Sequence, residues 1–316
     1  MSWRNSRSSW RKAFIPAPFI DMARTKRGNY NVFGHYTWCI PGVADIFILL
    51  GMLLLGALAG NLVNIPFVAI LGAEKGGEYG MLVSYPLMFI FPMLWASGRS
   101  RRASMTEKGL LLDNSFFAPL GGALSALLVV LATLAAALCC DAVNSLMPPM
   151  PEWLESALKS MTTGSFWVNF LCVSIFAPFF EEWLCRGMVL RGLLARGTRP
   201  WIAIAVSALF FAIIHMNPWQ AIPAFALGIL FGWVYYKTGS LKLTMLMHFT
   251  NNTMALIIGH IESLKDCETW LDVLGSGYWL VFCACILLLA LVILAFRRIE
   301  TPASGNFEVV KPLFED

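Results

Sequence analysis

The chain has 316 residues, of which 58% are hydrophobic and 13% charged, with a formal net charge of +4 and a mean hydropathy of +0.68. A soluble globular protein is about 45–50% apolar and about 25% charged, so this balance excludes a pair of ordinary soluble domains. The positive excess does not call for nucleic acid, because the basic residues stand where anionic lipid headgroups would meet them.

Residues 1–37 are basic, Ser-rich and without apolar periodicity, and read as a tail. Apolar blocks follow at 41–63, 81–97, 116–138, 166–190, 200–216, 219–236, 241–259 and 277–296. They have about the length a bilayer demands of a spanning helix. The expectation is therefore an all-α, polytopic transmembrane helix bundle of about eight spans. Seven basic residues precede the first block, and Arg99, Arg101, Arg102 and Lys108 lie between the second and third. Arg186, Arg191, Arg196 and Arg199 cluster at the end of the fourth, Lys237 and Lys242 after the sixth, and Arg297, Arg298 and Lys311 after the eighth. Only Lys75, Lys159 and Lys265 fall in the alternate loops. The positive-inside rule then puts both termini in the cytoplasm, in a multi-pass protein of the cell membrane. The basic leader is followed by no small-residue cleavage site, so no signal peptide is expected. The final Leu313-Phe314-Glu315-Asp316 holds no Cys and is no prenylation box.

The loop 139–165 carries Met147-Pro148-Pro149-Met150-Pro151 and then Glu152-Trp153-Leu154-Glu155, a turn followed by a short amphipathic helix at the interface. Four divisions result: a tail at 1–37, N-terminal spans and loop at 38–164, a core at 165–260, and a last span with its tail at 261–316. No internal repeat is apparent. The eight cysteines show no metal-ligand spacing across loops. Cys172, Cys185, Cys283 and Cys285 read as small core residues, whereas Cys39, Cys139, Cys140 and Cys267 are placed near the outer face, where a disulfide could form.

Before the loop the spans are bland, Asp45 excepted; after it, polar residues interrupt apolar stretches. A charged side chain at the centre of a span costs on the order of 3 kcal/mol, so each is a functional hypothesis by default. In Ala177–Arg186, Glu182 and Arg186 are four apart and share a helix face, with the acid first, the favourable order for a pair. Glu181 is rotated from Glu182 by about 100° and stays free to act. His215 follows Phe211 by one turn. His248 and Asn252 are likewise one turn apart and point the same way; by themselves they could equally be hydrogen-bond glue between helices. Asn217 beside Pro218 reads as a turn only. With the fourth helix read through to about Arg196, Glu181 and His215 lie at similar depth in an antiparallel hairpin. Peptide hydrolysis without a Ser, Cys or Asp dyad needs a base to activate water and donors to hold the oxyanion. Glu181 suits the first task with His215 positioning the water, and His248 with Asn252 suits the second.

These residues resemble a known family. Glu181 to Arg186 matches EExxxR, Phe211 to His215 matches FxxxH, and His248 to Asn252 matches HxxxN, in order and on successive apolar helices. The chain is similar over about residues 165–260 to the CPBP, or Abi, family, which includes the type II CAAX prenyl endopeptidases and bacterial immunity proteins. The resemblance implies an intramembrane endopeptidase with Glu181 as base, His215 as its water-binding partner, and His248 with Asn252 as oxyanion hole. Glu182, Arg186 and Phe211 would support the site. Glu181, His215 and His248 could instead ligate Zn²⁺, but the H-E-x-x-H spacing is absent and metal-free catalysis is favoured. The expected partners are a peptide or membrane-anchored protein and the lipid bilayer. Two alternatives stay open: a non-catalytic immunity or regulatory protein using the same pocket, and a proton-coupled transporter, for which an inverted repeat is lacking.

Overall fold

The chain is described by a computed structural model covering residues 32–115, 118–264, 267 and 269–313, without the side chains of 157 and 159–163. Almost all of the basic tail, with its seven Lys and Arg, lies outside the described residues, as do Lys265 and the Lys159 side chain. Each apolar block forms a helix: α1 (Val43–Leu71), α2 (Ala73–Ala103), α3 (Gly122–Asn144), α5 (Phe166–Ala195), α6 (Pro200–Ile213), α7 (Pro218–Thr238), α8 (Leu241–Gly259) and α10 (Tyr278–Arg297). Two shorter helices intervene, α4 (Glu152–Thr163) in the long loop and α9 (Trp270–Leu274) before α10. Among the described residues, α1, α2, α3, α5 and the run Trp270–Arg297 are long and apolar enough to cross a membrane. Helix α6 is apolar but has only 14 residues, short of the ~20 that a full span needs. The protein is a polytopic helical membrane bundle.

Three block edges differ from the sequence reading, each for a local reason. Helices α1 and α2 run past their apolar cores and meet at Gly72, whose φ of +84° reverses the chain in one residue at no Cβ cost. The expected loop around Lys75 is therefore helical. Helix α3 begins six residues later than its block, after Pro119 and Gly121. Helix α5 is one rod but not uniformly α-helical. The π-helical stretches Phe170–Phe176 and Trp183–Leu190 flank an α-helical Ala177–Glu182. Depths along it cannot be counted at the α-helical rise, as the hairpin comparison assumed.

Small residues set the closest crossing. Gly56 and Gly60 of α1 are buried against α2, and a Cβ on Gly56 would stand 2.2 Å from the Met88 carbonyl oxygen. Lipid tails are as apolar as the side chains, so close backbone approach drives such association more than hydrophobicity does. One core gathers Leu49, Leu53, Phe89, Trp183, Met188 and Tyr235; another joins α3, α7, α8 and α10 through Val129, Phe231, Met247, Val292 and Phe296.

The segments rich in Lys and Arg come together at one end of the bundle. There β1 (Gly109–Leu110) pairs antiparallel with β2 (Val309–Val310), Gly109 opposite Val310. Leu110 N donates to Thr37 O, Asn114 N to Gly239 O, and Leu313 N to Ser104 O. At the opposite end Trp270 N donates to Asp141 Oδ2, Tyr278 Oη to Leu138 O and Trp219 Nε1 to Pro148 O.

Two sequence assignments need correction at the basic end. Arg186 and Arg191, counted among residues meeting lipid headgroups, are fully buried. Among the described residues Arg191 has no acidic partner and instead donates to the carbonyls of Gly187, Thr37, Leu110, Tyr36 and Cys39. A guanidinium has five donors in a fixed fork, so one side chain fastens residues 36–39 and β1 onto α5. Cys39 consequently lies at the basic end, not on the outer face with Cys139, Cys140 and Cys267. Burial pushes its thiol up to about 11, leaving it protonated at neutral pH and a poor nucleophile for disulfide exchange. All eight cysteines are unpaired.

Candidate active site

The α-helical turn of α5 between its two π stretches carries Glu181 and Glu182. Short π segments inside α-helices concentrate at functional sites because the widened turn re-aims side chains and frees carbonyls. Glu182 and Arg186 are both 0% exposed and joined Oε1 to Nη1 at 2.7 Å. Arg186 also donates from Nη2 to Gly228 O of α7 at 3.1 Å. Its guanidinium lies 4.6 Å from the Phe211 ring centroid and 5.4 Å from that of Phe231, contacts that gain strength when desolvated. Gly228 permits this approach: a Cβ there would lie 3.1 Å from the Cα of Ala208 and 3.4 Å from Arg186 Nη2.

Helix α8 turns His248 onto the same carboxylate, with Nδ1 3.1 Å from Glu182 Oε1. An ionised carboxylate can only accept, so Nδ1 is the protonated nitrogen and Nε2 projects away from the pair. The Phe211 ring meets His248 edge-on at 5.4 Å and His215 at 5.0 Å. His215 lies just past the end of α6, its Nδ1 turned back to Phe211 O at 2.7 Å. A carbonyl also only accepts, so Nδ1 is the donor here and, in the neutral ring, Nε2 is left with the lone pair. Met216, at φ +55°, then reverses the chain into Asn217, whose Oδ1 caps α7 by accepting from Gln220 N. Asn217 is indeed a turn residue. Asn252, one turn beyond His248, donates from Nδ2 to Val173 O in the first π stretch at 2.8 Å.

Glu181 faces differently from Glu182. Its Oε1 accepts from the hydroxyl of Tyr85 on α2, and its Oε2 is buried with no hydrogen-bond partner among the described residues. The Oε2 of Glu182 is in the same position. No hydrogen bond or ion pair joins Glu181 to His215 or His248. The structure thus joins Glu182, Arg186, His248, Phe211 and His215 in one contact network. It places Glu181 beside that network and Asn252 one turn along α8. Among the described residues, no three His, Cys, Asp or Glu side chains are grouped to hold a metal ion. The Nδ1 of each imidazole and the Oε1 of Glu181 are engaged by protein groups, which leaves Nε2 of His215, Nε2 of His248 and Oε2 of Glu181 as the atoms that could meet a ligand.

Three contributors escaped the sequence reading. Tyr85 lies in a span dismissed as bland, although a buried phenol hydroxyl ordinarily requires a partner, a signal that could have flagged it. Phe231 and Gly228 lie in α7, which carries no part of the three motifs. Nothing in their spacing marks them.

A comparison with protein families matches residues 163–254 to a model described as type II CAAX prenyl endopeptidase Rce1-like. No curated protein and no solved structure gives a match. The matched segment runs from the end of α4 into α8 and contains Glu181, Glu182, Arg186, Phe211, His215, His248 and Asn252. Within this multi-pass membrane bundle, residues 163–254 are therefore similar to the CAAX-protease-like family, a family of peptidases.

Proposed function

We propose that the protein is an intramembrane endopeptidase that cleaves a peptide or membrane-anchored protein with a water activated by Glu181. What supports it most is the open Oε2 of Glu181, buried beside a network that binds both imidazoles to one aromatic ring.

A water at Glu181 Oε2 would lose one proton to that carboxylate as its oxygen attacks the scissile carbonyl. Its second hydrogen would stay on the attacking oxygen and be held in a hydrogen bond by the Nε2 lone pair of His215. A positioned base of this kind contributes about 10²–10⁴-fold. The oxyanion would be held by the second Nδ2 hydrogen of Asn252 and by Nε2 of His248. Nε2 can donate only when the His248 ring carries both protons, and Glu182, accepting from Nδ1, is placed to stabilise that cation. Each oxyanion donor is worth about 10²–10³ in kcat. Glu181 would then hand its proton to the departing amine nitrogen as the C–N bond breaks, regenerating the carboxylate. Tyr85 fixes the rotamer of Glu181 through its other oxygen. No step passes through a metal.

The family match makes an isoprenylated C-terminal tetrapeptide the first substrate to assay, and a cell that does not prenylate proteins would require another. The test that needs no substrate in advance compares the proteomes of membranes containing wild-type protein and Glu181→Gln. The variant keeps volume and hydrogen bonding but lacks the base. An uncut precursor should accumulate with Glu181→Gln. Identical protein termini in the two membranes would overturn the reading and leave a binding role.

A further inference from the structure

The basic end of the bundle holds a cavity that the peptidase reading does not use. It has a volume of about 260 Å³ and is walled by Trp38, Arg99, Arg102, Glu107 and Arg196. The three guanidinium groups come from two separate places, the last turns of α2 and the turn between α5 and α6. Helix dipoles account for arginines at the C-terminal ends of α2 and α5; they do not account for the two ends turning these side chains into one cavity.

The donors are largely uncommitted. Arg99 spends Nη1 on Asp45 at 2.9 Å, and Arg196 spends Nη2 on Ile40 O at 2.9 Å. The Arg102 side chain has no hydrogen bond or ion pair among the described residues. Asp45 and Glu107 balance two of the three positive charges, so the cavity keeps one to offer an anion. Its wall is also preorganised. Residues 36–39 are fastened by the buried Arg191, and Trp38 N is tied to Ser100 Oγ at 3.2 Å.

From this we propose that the cavity binds a phosphate ester group, through Arg102 and Arg196 with Arg99 behind them. Guanidinium forks match phosphate oxygens in geometry as well as charge. The volume falls just below the ~300–1,000 Å³ of drug-sized ligand sites, which suits a headgroup better than a peptide. One surplus charge matches a phosphodiester, which carries a single negative charge. The position, at the ends of membrane-spanning helices beside an indole, favours an anionic phospholipid over a soluble ester. The site lies past the C-terminal end of α5 and shares no lining residue with the Glu181 site, so it stands whether or not the peptidase reading does.

The full chain in detergent would be titrated with phosphatidylglycerol, with phosphatidylcholine, and with soluble glycerol 3-phosphate, following thermal unfolding. Phosphatidylglycerol should raise the Tm of the wild type more than phosphatidylcholine does. Arg102→Gln and Arg196→Gln should each weaken that effect by roughly tenfold in ligand concentration, the scale of one charged hydrogen bond. Arg101→Gln removes the same charge one residue away, outside the cavity, and should behave as wild type. Arg102 has no partner to lose, so its variant should fold normally. An equal response to glycerol 3-phosphate would keep the site and assign it to soluble phosphate esters. Equal stabilisation of all four proteins, or none by any phosphate compound, would overturn the proposal.

Discussion

Glu182, Arg186 and His248 form the most constrained group in the molecule. Removing one partner of a buried ion pair strands the other charge, at a cost of about 3–5 kcal/mol. Arg186→Met should therefore unfold at markedly lower denaturant than wild type, and Glu182→Gln added to it should restore much of the loss, because no ionised group is then left stranded. Equal stabilities of wild type and Arg186→Met in a denaturant titration would show that the pair contributes nothing. Tyr85→Phe tests the neighbouring carboxylate. It removes a hydroxyl that donates to Glu181 while keeping the ring on Phe89. A hydrogen bond to a charged group is worth about 1.5–3 kcal/mol, so kcat should drop by about tenfold or more with little change in Tm. Within α5 the sequence reading went far at this scale: the i,i+4 spacing made the Glu182–Arg186 pair legible, and the twist between neighbours separated Glu181 from Glu182. The partner of Glu181 was not legible. Tyr85 is 96 residues away, and no local pattern links the two positions.

At the level of the elements, two devices shape the site. The π stretches of α5 frame the turn that carries Glu181 and Glu182, and the first of them supplies Val173 O to Asn252. A sequence window cannot reveal this, since apolar residues at 170–176 suit either helical form. The other device is close approach through glycine. Gly56→Leu would drive its side chain into the Met88 carbonyl, and overpacking of this kind typically costs about 1–3 kcal/mol. Separation of α1 from α2 should pull Tyr85 away from Glu181, so Gly56→Leu is expected to lose both thermal stability and proteolysis. Gly51→Leu, where a Cβ meets nothing, should leave both intact. A comparison of Tm and precursor processing for the two variants decides it.

Across the whole molecule, residues 37–39, 104–114, 236–239 and 306–313 all meet at the basic end. If the positive-inside rule applies, that end faces the cytoplasm. Single cysteines at Glu107 or Ser304, both exposed, should then react with a membrane-impermeant maleimide only after the cytoplasmic side is opened, and one at Ser145 should react from outside. The reverse pattern would invert the topology. The sequence by itself determined which stretches become helices, which ends lie together and which residues within one helix share a face. Those properties follow from helical periodicity, bilayer thickness and the cost of burying charge, all of which act locally. Only the tertiary structure decided that Tyr85 reaches Glu181, that Arg191 is buried, and which nitrogen each imidazole presents. The helices are apolar almost all round, so the pattern leaves their rotation about their own axes free. That rotation is fixed by close backbone contacts at glycines and by a few buried polar groups finding partners far away in the chain.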